Sequence, residues 1–417
     1  MQHLRTLSRI LVGIVFTFSG FVKAVDPMGS TYKFQDYFNA FGLESLAPTA
    51  FFLAILLSSI EFILGMALLF NARIRNASWL ALAFMAFFTP LTLVLALTNP
   101  VTDCGCFGDA LKMTNWQTFG KNVVIIAFTL LVFLGRKKIE SRKNQLEQHL
   151  LLIFSTVFVI GISIYSYKHN PIIDFRPYHI GANIQEGMSI PEGAPADEYQ
   201  SIFYYEKNGE VKEFDQTNYP WQDSTWKYVD SKQIKIKEGY QPPIHDFSIS
   251  NDMEGDITDM VLNDENYTFL LVSKNVAEAN TENQSQINEI ATFCQDMGYR
   301  FLCLTASLPD EISKFTQEHQ AGYPFYNTDE IQLKTIVRSN PGLVLLQKGT
   351  ILNKWHYKDL PHPDQLKGNL AAESITLHQK SNIKLLIISI TSTLLLLICF
   401  YFLMKYRRVA IQNRLRL

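Results

Sequence analysis

Cys104 and Cys106 stand two positions apart in the run Thr102-Asp103-Cys104-Gly105-Cys106-Phe107-Gly108-Asp109, and they are two of only five cysteines in 417 residues. Two thiols at this spacing close only a small ring as a disulfide. Disulfide geometry is specific, and departures from it store strain and make the bond easier to reduce. A Cys-Gly-Cys disulfide therefore belongs toward the oxidising end of the scale, where labile or catalytic disulfides lie. Gly105 tolerates the unusual dihedrals such a ring demands. Lys112 would lower a thiol pKa, whereas Asp103 and Asp109 would oppose that. Three chemistries fit the pair: reversible thiol–disulfide exchange, a static structural disulfide, or half of a tetrahedral metal shell. No histidine stands nearby to complete the last, and no metal is expected.

A second candidate is Glu61, which stands well inside an apolar stretch. An ionisable group at that depth is costly and needs a partner. At about 1.5 Å per residue it lies roughly 20 Å below the outer end of its helix. The same distance down the first helix reaches Arg9. An Arg9–Glu61 pair inside the bundle is the expectation, either as a pin between helices or as a proton relay. Lys23 is expected to snorkel to the outer interface. Cys294 falls in a helical pattern, Cys303 in a strand and Cys399 in a final apolar run, and all three read as small buried hydrophobes. The nine histidines are scattered, no phosphate-binding loop or hydrolase constellation occurs, and a net charge of −2 gives no argument for nucleic acid.

These residues are carried by a chain of two compositions. Residues 1–167 are strongly apolar and Phe-rich, residues 168–382 resemble an ordinary polar globular chain, and a last apolar run covers 383–404. Stretches of roughly 18 or more apolar residues read as membrane helices. Six occur, at about 7–25, 47–70, 78–97, 116–134, 150–167 and 383–404. Lys and Arg collect in alternate connections: Arg5 and Arg9, Arg73 and Arg75, Arg136 to Lys143, and Lys405 to Arg416. The excess of positive charge on cytoplasmic loops then puts both termini inside. The Cys104–Cys106 loop and residues 168–382 fall outside, where disulfides persist. A signal-peptide reading of the first span rests only on a weak cleavage site at Val22-Lys23-Ala24 and leaves the sides unchanged.

The first span, with Arg9, Gly13, Phe16, Ser19, Gly20 and Lys23, resembles the start of the DoxX family. The run Cys104-Gly105-Cys106-Phe107-Gly108 after the third span resembles the loop of the MauE family. Together the resemblances cover residues 1–138 as a four-helix membrane domain. They imply a redox-linked protein of the bacterial inner membrane, with disulfide chemistry outside the cytoplasm and a quinone as electron partner. Vitamin K epoxide reductase is a further analogue, but its active pair is Cys-x-x-Cys.

Residues 139–170 read as a cytoplasmic loop and a fifth span. Residues 171–245 read as a strand-rich segment, with Phe203 to Phe214 a hairpin about Asn208-Gly209, the preferred two-residue turn. Tyr219, Trp221 and Trp226 are aromatic and suit either a docking surface or a small core. Residues 246–375 alternate strands and helices and resemble the thioredoxin fold, with Ser339-Asn340-Pro341-Gly342 at the family's cis-proline. Asp246-Phe247-Ser248-Ile249 resembles the first strand of the peroxiredoxin and TlpA branch. The family's Cys-x-x-Cys is absent, since Ser273-Lys274-Asn275-Val276 occupies that place. The resemblance then implies peptide binding near Pro341 rather than disulfide exchange. Residues 376–417 hold the sixth span and a basic tail.

Two functions follow as expectations. One is a membrane thiol–disulfide oxidoreductase that uses Cys104 and Cys106 to pass electrons between outer protein thiols and a quinone. The other is a non-enzymatic assembly or docking protein with a structural cysteine loop and a partner-binding outer domain. The lipid bilayer is a partner in both.

Overall fold

A computed structural model describes residues 2–101, 103–139, 144–237, 239–370 and 372. The final apolar run at 383–404, with Cys399 and the basic tail, lies outside the described residues. Among the described residues five helices are long and apolar enough to cross a membrane, and the chain is a multi-pass membrane protein. They are α1 (Gln2–Val25), α3 (Ala50–Leu69), α4 (Ile74–Thr98), α5 (Asn115–Gly135) and α6 (Gln145–Lys168). A shorter helix, α2 (Pro27–Ala40), follows α1 directly. Its N-cap is Asp26, whose carboxylate accepts the Gly29 amide at 3.0 Å.

Lipid tails are as apolar as leucine, so helices in a bilayer associate through close packing and small residues. That is how α1 meets α3. A Cβ on Gly20 would lie 2.3 Å from the Phe62 amide nitrogen, and one on Gly65 would lie 2.3 Å from that of Thr17. Gly13 faces Leu69 less tightly, with a Cβ there 2.8 Å from the Leu69 Cγ and 3.0 Å from its amide nitrogen. The three pairs step down one helix and up the other by equal intervals, as antiparallel neighbours must. Around this seam Val12, Phe16, Leu64 and Leu68 pack with Met85 of α4 and Ile125 of α5. Three buried serines on the helices, Ser8, Ser155 and Ser163, each return their hydroxyl to the carbonyl four residues earlier at 2.8–3.0 Å. The α4 helix continues through Pro90.

Beyond α6 the chain forms a short helix, α7 (Ile184–Met188), and two sheets. The smaller is a meander of β1 (Glu198–Lys207), β2 (Glu210–Asp215) and β3 (Lys227–Lys237) in the order β2-β1-β3. Its tight turn is Asn208-Gly209, both at positive φ, as the sequence predicts. Tyr205, Phe214, Tyr219 and Trp226 cluster by ring contacts, while Trp221 is exposed.

The larger sheet contains β4 (Ser250–Asn251), β5 (Gly255–Asp256), β6 (Thr268–Val272), β7 (Arg300–Thr305), β8 (Phe325–Asn327), β9 (Gly342–Gln347) and β10 (Thr350–His356). Their order is β10-β9-β6-β7-β8-β4-β5, with β6, β7 and β8 parallel and β9 and β10 antiparallel. Strands covered on both faces read as continuous apolar runs, and β6 is Thr-Phe-Leu-Leu-Val, buried throughout. Leu270, Leu302 and Val344 face a core closed by Val261, Leu333 and Ile336. Their neighbours Phe269, Phe301 and Leu345 face the opposite core with Ile287, Ile290 and Phe315. The first core draws on α8 (Thr258–Leu262) and α11 (Glu330–Ile336), the second on α9 (Gln284–Met297) and α10 (Pro309–His319). The segment after α6 is tied to this sheet by a buried network. Arg176 grips Asp174 at 2.6 and 2.8 Å, and Lys354 of β10 reaches the same carboxylate at 2.8 Å.

Replacing Gly20 by leucine is expected to prevent a monodisperse, folded protein in detergent, because the new side chain meets backbone rather than a movable side chain. Gly120→Ala has open space beside it. It should leave thermal stability unchanged or raise it by up to about 1 kcal/mol, the helix-propensity difference.

Candidate functional site

The cysteine loop is tied at both ends. The α4 helix stops at Asn99, whose side-chain oxygen accepts the Asn115 amide at 2.7 Å, and Asn115 also donates to Val101 O at 2.8 Å. Thr114 opens α5 with a reciprocal cap to Gln117. Between these ends Gly105 and Gly108 adopt φ of 64° and 52°, the left-handed region that glycine enters without steric cost. The Gly105 amide donates to Asp103 Oδ1 at 2.9 Å, which turns the chain between the two cysteines.

Two further elements grip the loop from opposite sides. From α2, Lys33 Nζ meets Asp103 Oδ2 at 3.1 Å and the Tyr37 hydroxyl donates to Cys104 O at 2.7 Å. From α1, Ser19 Oγ lies 2.7 Å from Cys106 O and 2.9 Å from Glu61 Oε2, so its single hydrogen serves one or the other. The result is that the sulfurs of Cys104 and Cys106 face each other at 3.1 Å.

That contact separates the two thiols electrostatically. One hydrogen between two sulfurs favours a thiolate on the acceptor and holds the proton on the donor. The hydrogen bond with Cys104, against burial and aided by Lys121 and Lys23, brings Cys106 down to about 6. The same hydrogen bond, together with burial, pushes Cys104 up. Burial, with the neighbouring Cys104, raises the Tyr37 phenol and keeps it a donor. Cys294 and Cys303 are different: each is fully buried, and burial raises both thiols, Cys294 to about 12.

Beneath the sulfurs lies the ion pair of the bundle. Lys23 Nζ is 2.8 Å from both oxygens of Glu61 and 3.1 Å from Ser19 Oγ, and both charged side chains are more than nine-tenths buried. A cavity of about 290 Å³ connects these groups. Cys104, Cys106, Lys23 and Glu61 line it on the polar side, and Phe34, Phe84 and Phe88 are among the aromatic rings of its apolar wall. Lys121 Nζ stands 4.4 Å over the Phe107 ring at its edge. Among the described residues no group of three or more His, Cys, Asp or Glu could hold a metal ion.

Two expectations are corrected. Arg9 does not pair with Glu61: its guanidinium donates to the carbonyls of Leu68 and Leu69 and closes the C-terminal end of α3. The two helices do not end level: α3 begins beyond the end of α1, and the glycine seam sets Glu61 opposite the last turns of α1. Lys23 accordingly turns inward rather than snorkelling outward. The sequence carried this signal, since Gly13, Phe16, Gly20 and Lys23 repeat at helical spacing on one face. Pro341 follows a cis peptide and is buried. Asn340 is held by Ser273 and Asn275 at 2.8 Å each, and Lys274 meets the Tyr32 hydroxyl of α2 at 3.2 Å. The Pro341 connection is thus turned toward the membrane domain. Lys33, Tyr37, Lys121 and α2 itself were not singled out in the sequence, because α2 is too short and too mixed to read as a span.

Residues 1–135 match the family described as Methylamine utilisation protein MauE, and residues 199–238 match a domain of unknown function, DUF8463. The first match spans α1 to α5 and the cysteine loop, and the second coincides with the meander. No curated protein and no solved structure matches the chain.

Glu61→Ala leaves Lys23 buried without its counter-ion and is expected to destabilise the bundle by about 3–5 kcal/mol, with Lys23→Met in the same chain restoring most of that. Unfolding in mixed micelles measures both. On the loop, alkylation of Cys106 in the reduced protein should slow with a midpoint at about 6 as pH is lowered. An ordinary thiol slows through about 8.5, and a midpoint there would contradict the sulfur–sulfur hydrogen bond.

Proposed function

We propose that this protein is a membrane thiol–disulfide oxidoreductase whose reacting groups are Cys104 and Cys106. The observation that carries the reading is the opposed pair of sulfurs at 3.1 Å, opening into a cleft with aromatic walls inside a membrane bundle. A flat, apolar ring with two carbonyl oxygens suits such a cleft, so a quinone is the electron partner. In one turnover the dithiol gives two electrons and two protons to the quinone, yielding the Cys104–Cys106 disulfide and the quinol. A protein dithiol then reduces that disulfide and is itself oxidised; the reverse sequence is the same chemistry run backward. Cys106 carries the thiolate, which is the sulfur form that reacts.

The distribution of Lys and Arg supports an orientation with both termini in the cytoplasm and the cysteine loop and residues 168–382 outside an inner bacterial membrane. The outer domain, residues 246–370, is read as thioredoxin-like. The parallel β6–α9–β7 crossover beside the antiparallel β9–β10 hairpin supports that reading. Ser273 and Lys274 stand where that fold carries its cysteines, so the exchange chemistry resides in the membrane loop alone.

A second reading is a membrane accessory protein without catalytic turnover. It is favoured by the outer domain, whose connection at 337–341 is engaged by the chain's own membrane part. Thiol trapping of Cys104 and Cys106 in intact membranes, with the quinone pool oxidised or depleted, separates the two. The oxidoreductase reading expects the pair to follow the pool. A pair fixed in one state under both conditions overturns it and leaves the accessory role.

A further inference from the structure

Arg338 lies between α11 and β9 in the outer domain, yet its guanidinium is spent on the membrane domain. Its Nε lies 3.0 Å from both Asp26 oxygens, and its Nη2 reaches Asp26 Oδ2 at 2.6 Å and Asp109 Oδ2 at 2.7 Å. Nη1 donates to Lys334 O at 2.6 Å, which fixes the fork from its own side. The Arg338 side chain is 7% exposed. Gly29 leaves room for it, since a Cβ there would lie 2.8 Å from Nη2. The Tyr32 ring is 5.7 Å away, on the same turn of α2.

The two carboxylates are not equivalent surface partners. Asp26 joins α1 to α2 and caps α2, the helix that supplies Lys33 and Tyr37 to the loop and Phe34 to the cleft. Asp109 lies three residues past Cys106 in the loop itself. One guanidinium therefore holds both the start of the helix above the cleft and the far side of the cysteine loop. A planar fork can bind two carboxylates at fixed angles, which an ammonium cannot.

We propose that Arg338 is a positioning residue for the cysteine pair, through which the outer domain holds α2 and the loop together and sets the reactivity of Cys104 and Cys106. This rests on the reading of the pair as the reacting thiols. With the clamp closed, the two sulfurs stay in hydrogen-bond contact beneath α2. With it open, Asp109 and the loop lose their outer anchor and the sulfurs separate.

The test uses the full chain in lipid nanodiscs. Maleimide labelling of the peptide containing Cys104 and Cys106 is followed by mass spectrometry, and the dithiol–disulfide equilibrium is set with a dithiothreitol buffer. At pH 9, where a separated thiol is also ionised, Arg338→Ala is expected to speed labelling about tenfold, the effect of a modest local opening, and to shift the equilibrium constant by a similar factor. Arg338→Lys keeps the charge without the fork and falls between the two. Asp109→Asn removes only the loop arm and should reproduce the labelling change while the outer domain melts as before. A folded Arg338→Ala protein with labelling and equilibrium within about twofold of the parent overturns the assignment. If Arg338→Ala does not fold, the same result in Asp109→Asn overturns it. Neither readout needs quinone, so a pair that ignores the quinone pool but responds to Arg338 removes the quinone reading and leaves this one standing.

Discussion

At Gly20 and Gly65 the backbones of α1 and α3 approach so closely that one added methyl group would strike main-chain nitrogen. Much of the membrane domain's arrangement follows from that contact. It fixes how far α1 slides along α3, and so it decides which polar residues meet. Lys23 comes level with Glu61, Ser19 reaches both Glu61 and the carbonyl of Cys106, and Arg9 is left at the end of α3 to bond its free carbonyls. A slip of one turn would leave a carboxylate and an ammonium alone in an apolar bundle. That penalty makes the register strongly specified.

A buried ion pair is weak evidence of added stability, because taking both charges out of water costs about as much as their attraction returns. Here the pair has a second consequence. Through Ser19 it is continuous with the cysteine loop, and through the cavity it faces the same space as the two sulfurs. The electrostatic surroundings of Cys106 are thus set partly by charges on α1 and α5, not by the charged residues adjacent in sequence. The cations that lower Cys106 are Lys121 and Lys23, and Asp103 and Asp109 are engaged by Lys33 and Arg338.

The domain that follows α6 depends on the same loop. Its large sheet is stabilised by apolar layers on both faces and stands on its own core. Its placement, in contrast, is polar. The Asp174, Arg176 and Lys354 network fixes it to the end of α6, and Arg338 fixes it to α2 and the loop. Charged forks of this kind specify geometry more sharply than apolar contact, which suits a domain seated over the cysteine loop.

Local pattern was enough to place the five spans and the Asn208-Gly209 hairpin within a few residues and to read 246–375 as alternating strands and helices, though not the short β8, because burial in lipid or on both faces of a sheet leaves continuous apolar runs. The cysteine pair was equally legible, since its residue types and spacing have few other uses. What the sequence could not yield were partners distant in the chain. Glu61 announced that it needed a cation but not which one, because the choice between Arg9 and Lys23 depends on the offset of two helices, and that offset is set by glycine contacts across a tertiary seam. Arg338 carried no local signal at all: its partners lie 312 and 229 residues away. Composition and periodicity report what a segment buries; only the folded chain decides which buried charges meet.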